Sequence, residues 1–190
     1  MKRLRTLQTL LFLVSPGLVA CQTTSPSALI AMASFDPLTT NPADLGLQIV
    51  VPDDVGLRNG DLELRLADDA PSGRIAGTFP LEIGRKRLDG QRARYTGRLS
   101  AEQASAMRQL QQRIQRGRAE SRASGTGSFG VHLVAACTTS GTLPSPMPVK
   151  VAIKVSSGSF IPAVDSSDLP AQLNEVDRAA LQSRIRRCPE

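Results

Sequence analysis

Aromatic side chains are nearly missing from this chain: 190 residues include no Trp, one Tyr and five Phe, with one His and three Cys. Without interleaved aromatics there is no platform on which bases could stack, and nucleic acid is not an expected partner. Stacking on sugars is disfavoured too, because Phe12 lies in the N-terminal leader and others of Phe35, Phe79, Tyr95, Phe129 and Phe160 have core parity. A zinc site of four His and Cys ligands would consume every such residue in the chain. No metal and no cofactor are expected. The longest apolar stretch is broken by polar residues, Pro16 and Gly17, short of the roughly 20 apolar residues of a spanning helix. Internal repeats, low-complexity tracts and a Gly-x-Ser-x-Gly elbow are absent as well. What remains is 41% hydrophobic and 21% charged, enough for one globular domain with spare chain and unlike collagen or a coiled coil.

Lys2, Arg3 and Arg5 precede an apolar run from Leu7 to Leu18, the pattern of an export signal over residues 1–20. The four residues Leu18-Val19-Ala20-Cys21 resemble the lipobox of bacterial lipoproteins. The resemblance implies diacylglyceryl attachment to the Cys21 thiol, cleavage after Ala20 and acylation of the new amino group. More than one acyl chain makes such anchoring stable, each buried methylene contributing about 0.8 kcal/mol. Gln22, where inner-membrane lipoproteins often carry Asp, makes the expected location the outer membrane, facing the periplasm, with the membrane itself as a partner.

With Cys21 assigned to lipid, Cys137 and Cys188 remain, and an oxidising compartment favours their pairing. The entropic model gives such a closed loop of about 50 residues on the order of 4 kcal/mol. The alternative is a buried free Cys137 and a reduced Cys188.

Residues 21–46, with Pro26, Asp36-Pro37 and Asn41-Pro42 among many Ser and Thr, suit a lipidated tether, in which Leu29 to Phe35 could add a short strand. Residues 47–190 then form a single β-rich domain. Leu47, Ile49 and Val51 alternate with polar or smaller neighbours, as do Leu62, Leu64 and Leu66 after the Asn59-Gly60 turn. Phe79, Leu81 and Ile83 read as a third strand, with Pro80 marking an edge. Beyond Asp89-Gly90, Ala93, Tyr95, Gly97 and Leu99 face one way and Arg92, Arg94, Thr96 and Arg98 the other. Ser100 and Gln103 form a capping-box pattern for a helix carrying Ala104, Met107, Leu110 and Ile114 as far as Gly117. Phe129 to Ala135 and Val149 to Val155 are further strands, with Cys137 on the core parity of Phe129. A last helix from near Asn174 would align Leu181, Ile185 and Cys188 on one stripe.

The expected fold is therefore mainly β with two helices: an antiparallel sandwich-like sheet, a helical crossover and a C-terminal helix clamped by the disulfide. The alternative is an α+β open antiparallel sheet with both helices on one face. Phe35-Asp36-Pro37 and Leu47-Gln48-Ile49-Val50-Val51-Pro52 resemble segments of uncharacterised envelope lipoproteins of alphaproteobacterial type, which implies no activity.

No catalytic residue is expected. Gly125, Gly127 and Gly130 match G-x-G-x-x-G, but the match leaves a helix and enters a strand, the reverse of a dinucleotide loop. His132 sits on the parity opposite Phe129, with no nucleophile or orienting group evident, as a solvated structural histidine. Asp53-Asp54 and Asp68-Asp69 could hold calcium or act as acid and base, yet they lack the spaced calcium-loop pattern, and turns favour Asp. Charge placement is the most specific feature. Residues 85–122 sum to +8, residues 21–84 to −6 and residues 123–190 to +1. Arg92, Arg94 and Arg98 share one strand face and are the candidate surface for an anionic polymer, an anionic lipid or an envelope protein. The competing reading is a solubilising face that pairs internally with the acidic segment. The chain is thus expected to be an anchored, non-enzymatic binding or scaffolding module. An envelope-polymer hydrolase, which would need His132 or the Asp pairs in one cleft, and an assembly accessory of an outer-membrane machine are the alternatives.

Overall fold

The computed structural model describes residues 35–70, 73–84, 87–121, 126–155 and 158–189. The expected signal, Cys21, the apolar residues 29–34, Arg85, Lys86, Arg122 and Gly125 lie outside them.

Alternating apolar residues build the first sheet. Strands β1 (Gly46–Pro52) and β2 (Val55–Gly56) are followed by β3 (Leu62–Ala70) and β4 (Gly73–Pro80), then β5 (Glu82–Ile83), β6 (Arg87–Asp89) and β7 (Arg92–Arg98). Helix α1 (Ala101–Ser121) leads to β8 (Thr126–Leu133), β9 (Ala136–Thr138), β10 (Val149–Lys154) and β11 (Ile161–Ser166). Short helices α2 (Leu169–Gln172) and α3 (Glu175–Gln182) precede β12 (Ile185–Arg187). A six-stranded antiparallel sheet runs β11-β10-β1-β7-β5 with β6 also on β7, and a three-stranded one runs β4-β3-β8. The third sheet is a short β12-β9-β2 patch in which β12 and β9 are parallel.

The two larger sheets face each other. Leu47, Gly97 and Ile153 of the first meet Leu64 and Phe129 of the second across the interior. Tyr95, on the same inward parity, is buried and donates its hydroxyl to the Val55 carbonyl at 3.0 Å. Helix α1 carries the chain from β7 to β8 and closes one side of the sandwich with Met107, Leu110 and Ile114, all buried. It starts as expected: the Gln103 amide donates to the Ser100 hydroxyl at 3.1 Å. At Gly77 of β4 a Cβ would lie 2.7 Å from Leu110 Cδ2 and 2.9 Å from Phe79 Cζ, so a side chain there would displace the buried packing under the helix. The mainly β fold with a helical crossover is thus what these patterns form.

Four expectations are corrected. Phe79 and Ile83 belong to different sheets: β4 ends at Pro80, at the edge of its sheet, and buried Leu81 carries the chain across, its amide bonded to the Leu62 carbonyl at 2.9 Å. Helix α1 does not stop at Gly117 but continues to Ser121, its last turn held by Arg118. The last helix is cut short: α3 begins on its Asn174 cap but ends at Gln182, and Ile185 to Arg187 extend into a strand. The folded part also begins before residue 47. Phe35 packs edge-on against Phe129, ring centroids 5.1 Å apart, and Pro42 and Leu45 are buried. Gln111 donates to the Pro37 and Thr40 carbonyls and Gln115 to that of Leu38, so α1 satisfies backbone that a free tether would leave to water.

Asp68 is also not in a turn. It lies within β3 on the parity of Leu62, Leu64 and Leu66, 1% exposed, and accepts from Arg118 of α1. Arg118→Ala leaves that carboxylate buried and unpaired, and the expected loss is on the order of 3 kcal/mol, read from the urea midpoint. The double change Asp68→Leu with Arg118→Met should recover most of it; a double variant as unstable as the single one contradicts this account.

Candidate functional site

The first sheet's outer side is uncovered by any described helix, and its register sets the chemistry there. Residues directly opposite in an antiparallel ladder share a face. Arg94 and Lys150 both oppose Val50, Arg98 and Lys154 both oppose Gly46, and Arg92 opposes Pro52. The three central strands β7, β1 and β10 thus present five basic residues and no acidic one. At strand spacings, Arg94, Arg98, Lys150 and Lys154 mark a quadrilateral of about 10 by 13 Å. All carboxylates of this sheet stand on its flanking strands: Glu82 on β5 bonds Arg98 at 3.3 Å, Asp89 on β6 bonds Arg94 at 3.4 Å, and Asp165 on β11 bonds Lys150 at 2.8 Å. These pairs are solvent-exposed, so each contributes little and can exchange for another anion. Arg92 and Lys154 make no ion pair among the described residues.

Arg92, Arg94 and Arg98 thus share the outer face, as their parity requires. The internal-pairing reading holds in part, because Glu82 comes from the acidic segment, whereas Asp89 comes from the basic one itself. Lys150 and Lys154, from the nearly neutral last third, complete the array; alternation with Val149, Val151 and Ile153 was the signal for them.

Cys137 and Cys188 are joined in a disulfide, sequence separation 51. The route differs from that expected: both cysteines sit at paired strands β9 and β12 rather than at a strand and a helix. Beside them, Asp61 is 4% exposed and its carboxylate accepts from the Arg58 amide at 2.8 Å and from the Arg186 guanidinium at 2.9 and 3.0 Å. Gly56 on β2 opposes Cys137, and a Cβ there would overlap the Cys137 sulfur and lie 2.9 Å from that of Cys188.

The residues a hydrolase would need do not converge. Asp68 points into the core while His132, on β8, is on the outer side of the same sheet opposite Glu63. Asp53 and Asp54 form the turn between β1 and β2, and Asp69 bonds Arg74 at 3.6 Å. Gly127 and Gly130 lie inside β8, not at a helix start. No group of three metal-ligating side chains occurs among the described residues. The His132 pKa is lowered, first by burial and then by the Arg65 charge, against the opposing pull of Glu63 and Asp177. The Arg118 pKa is raised by its hydrogen bond to Asp68. Comparison with protein-family models, curated proteins and solved structures finds no match.

Cys188→Ser should lower stability by about 4 kcal/mol in denaturant, the value of a loop of this length. Gly56→Val should reproduce much of that loss and leave thiols that react with Ellman's reagent in the folded protein; a fully oxidised Gly56→Val chain of unchanged stability contradicts the packing described.

Proposed function

We propose that this chain is a lipid-anchored protein of the bacterial outer membrane, facing the periplasm, whose β-rich domain is a non-enzymatic binding or scaffolding module. The anchor reading rests on Leu18-Val19-Ala20-Cys21 behind a basic, apolar leader. A protein tied to a surface through Cys21 meets its partners at high effective concentration, so modest contacts suffice. The observation that carries the binding reading is the uninterrupted cationic centre of the six-stranded sheet, Arg92, Arg94, Arg98, Lys150 and Lys154, with its carboxylates confined to the flanks. A two-dimensional array of cations suits a surface of repeated phosphates better than one small anion. Arg forks bind phosphate bidentately and Lys acts as a point charge, so both residue types serve. A hydrolytic role has no support in the arrangement of His132 and the Asp pairs.

The soluble domain, residues 22–190, should therefore co-sediment with phosphatidylglycerol vesicles at 50 mM salt and be released by 300 mM. Each of Arg94→Ala and Lys150→Ala should weaken binding about fivefold, from roughly 1 kcal/mol per basic residue near an anionic surface, with no change in melting temperature. Salt-insensitive binding, or variants that bind as the parent does, would refute the reading.

A further inference from the structure

A second binding feature lies on the other large sheet, away from the cationic face. Between β8 and helices α2 and α3 the fold leaves a cleft of about 500 Å³, within the range of small-ligand sites. Its floor is apolar: Leu133 from β8, Leu173 after α2 and buried Leu181 from α3. Its rim is cationic. Arg65 reaches it from β3 and Arg184 from the turn after α3, and His132 of β8 lines it too. Among the described residues Arg65 pairs with Glu63 alone, two residues away on its own strand, at 3.3 Å and exposed, a pair of little energetic value. Arg184 makes no ion pair among the described residues. The one carboxylate lining the cleft, Asp177, accepts from the Asn174 amide group at 2.7 Å in the cap of α3. An apolar floor under two available guanidinium groups matches a molecule with a hydrocarbon part and one acid group.

We propose that this cleft binds a small anionic amphiphile, its acid group held by Arg65 and Arg184 beside His132 and its hydrocarbon laid on Leu133, Leu173 and Leu181. A guanidinium is a planar fork of N–H donors that suits the two oxygens of an acid group. His132 adds a pH response. Burial and then Arg65 lower its pKa, while Glu63 on β3 and Asp177 on α3 pull the other way. Acidification supplies a further positive charge next to the bound acid group, so affinity rises as pH falls.

The probe is 1-octanesulfonate, which stays ionised throughout, titrated calorimetrically below its micellar concentration into the mature chain at pH 7.5 and pH 5.5. One saturable site is expected, at least threefold tighter at pH 5.5, with inorganic sulfate and octyltrimethylammonium failing to saturate. Arg184→Ala should weaken binding at least fivefold at both pH values. His132→Gln should keep the site and abolish the pH difference, which is assignable because the chain has one histidine. Ala180→Trp, at an exposed helical position lining the cleft, should block binding without unfolding the protein. Equal binding of octyltrimethylammonium, sulfate binding as tight as octanesulfonate, or unchanged binding in Arg184→Ala and Ala180→Trp would each overturn the proposal.

Discussion

Three stretches of chain meet on Asp61, and none can leave without stranding its buried carboxylate or its backbone carbonyl. Its side chain holds the Arg58 amide and the Arg186 guanidinium, and its carbonyl accepts from the Val134 and Ala135 amides. The turn before β3, the link from β8 to β9 and the final strand are thereby fixed to one residue. Removing one partner of such a pair is strongly destabilising, although the intact pair adds little over an apolar replacement. The disulfide lies next to this hub, so the C-terminal segment is held by a covalent bond at Cys188 and by a charged one at Arg186. Gly56 is the steric condition for the covalent one, since a residue without a side chain lets β2 pass the two sulfurs.

From that clamp the rest of the architecture follows. With the chain end pinned beside β9, helices α2 and α3 lie near the outer side of β8, and their cleft opens beside His132. Helix α1 takes the edge of the sandwich, reaching β4 through Gly77 and the sheet interior through the Arg118–Asp68 pair. No described helix covers the outer side of the six-stranded sheet, and that side carries the cationic array. The 35–45 segment, docked through Phe35, Gln111 and Gln115, fixes the point at which any anchored leader must join the domain.

Strand parity was legible wherever a side chain's face was decided by water alone. Leu47, Ile49 and Val51, and the opposed Arg92, Arg94 and Arg98, fall where alternation puts them, and the Ser100 and Asn174 caps start their helices as written. What alternation could not reveal is tertiary compensation. Asp68 reads as turn chemistry until its parity with Leu62, Leu64 and Leu66 is taken literally, and a carboxylate on that face demands a cation such as Arg118, one turn beyond Ile114 on the helix's apolar stripe. The end of α3 was equally hidden, because Leu181 and Ile185 satisfy helical spacing and β12 forms only where β9 offers a free edge. The prolines and polar residues of 35–45 looked like a tether for the same reason: their carbonyls are satisfied by glutamines some 70 positions away.

The most direct test of a membrane-anchored domain with a cationic working face is an arginine footprint of the intact, acylated chain, extracted from its envelope and reconstituted in vesicles containing phosphatidylglycerol. Phenylglyoxal labelling read by mass spectrometry should show Arg92, Arg94 and Arg98 protected relative to the detergent-solubilised chain, with Arg74 and Arg113 labelled equally in both states. Uniform labelling of all five, or protection of Arg74 and Arg113 in place of the β7 residues, would contradict the account.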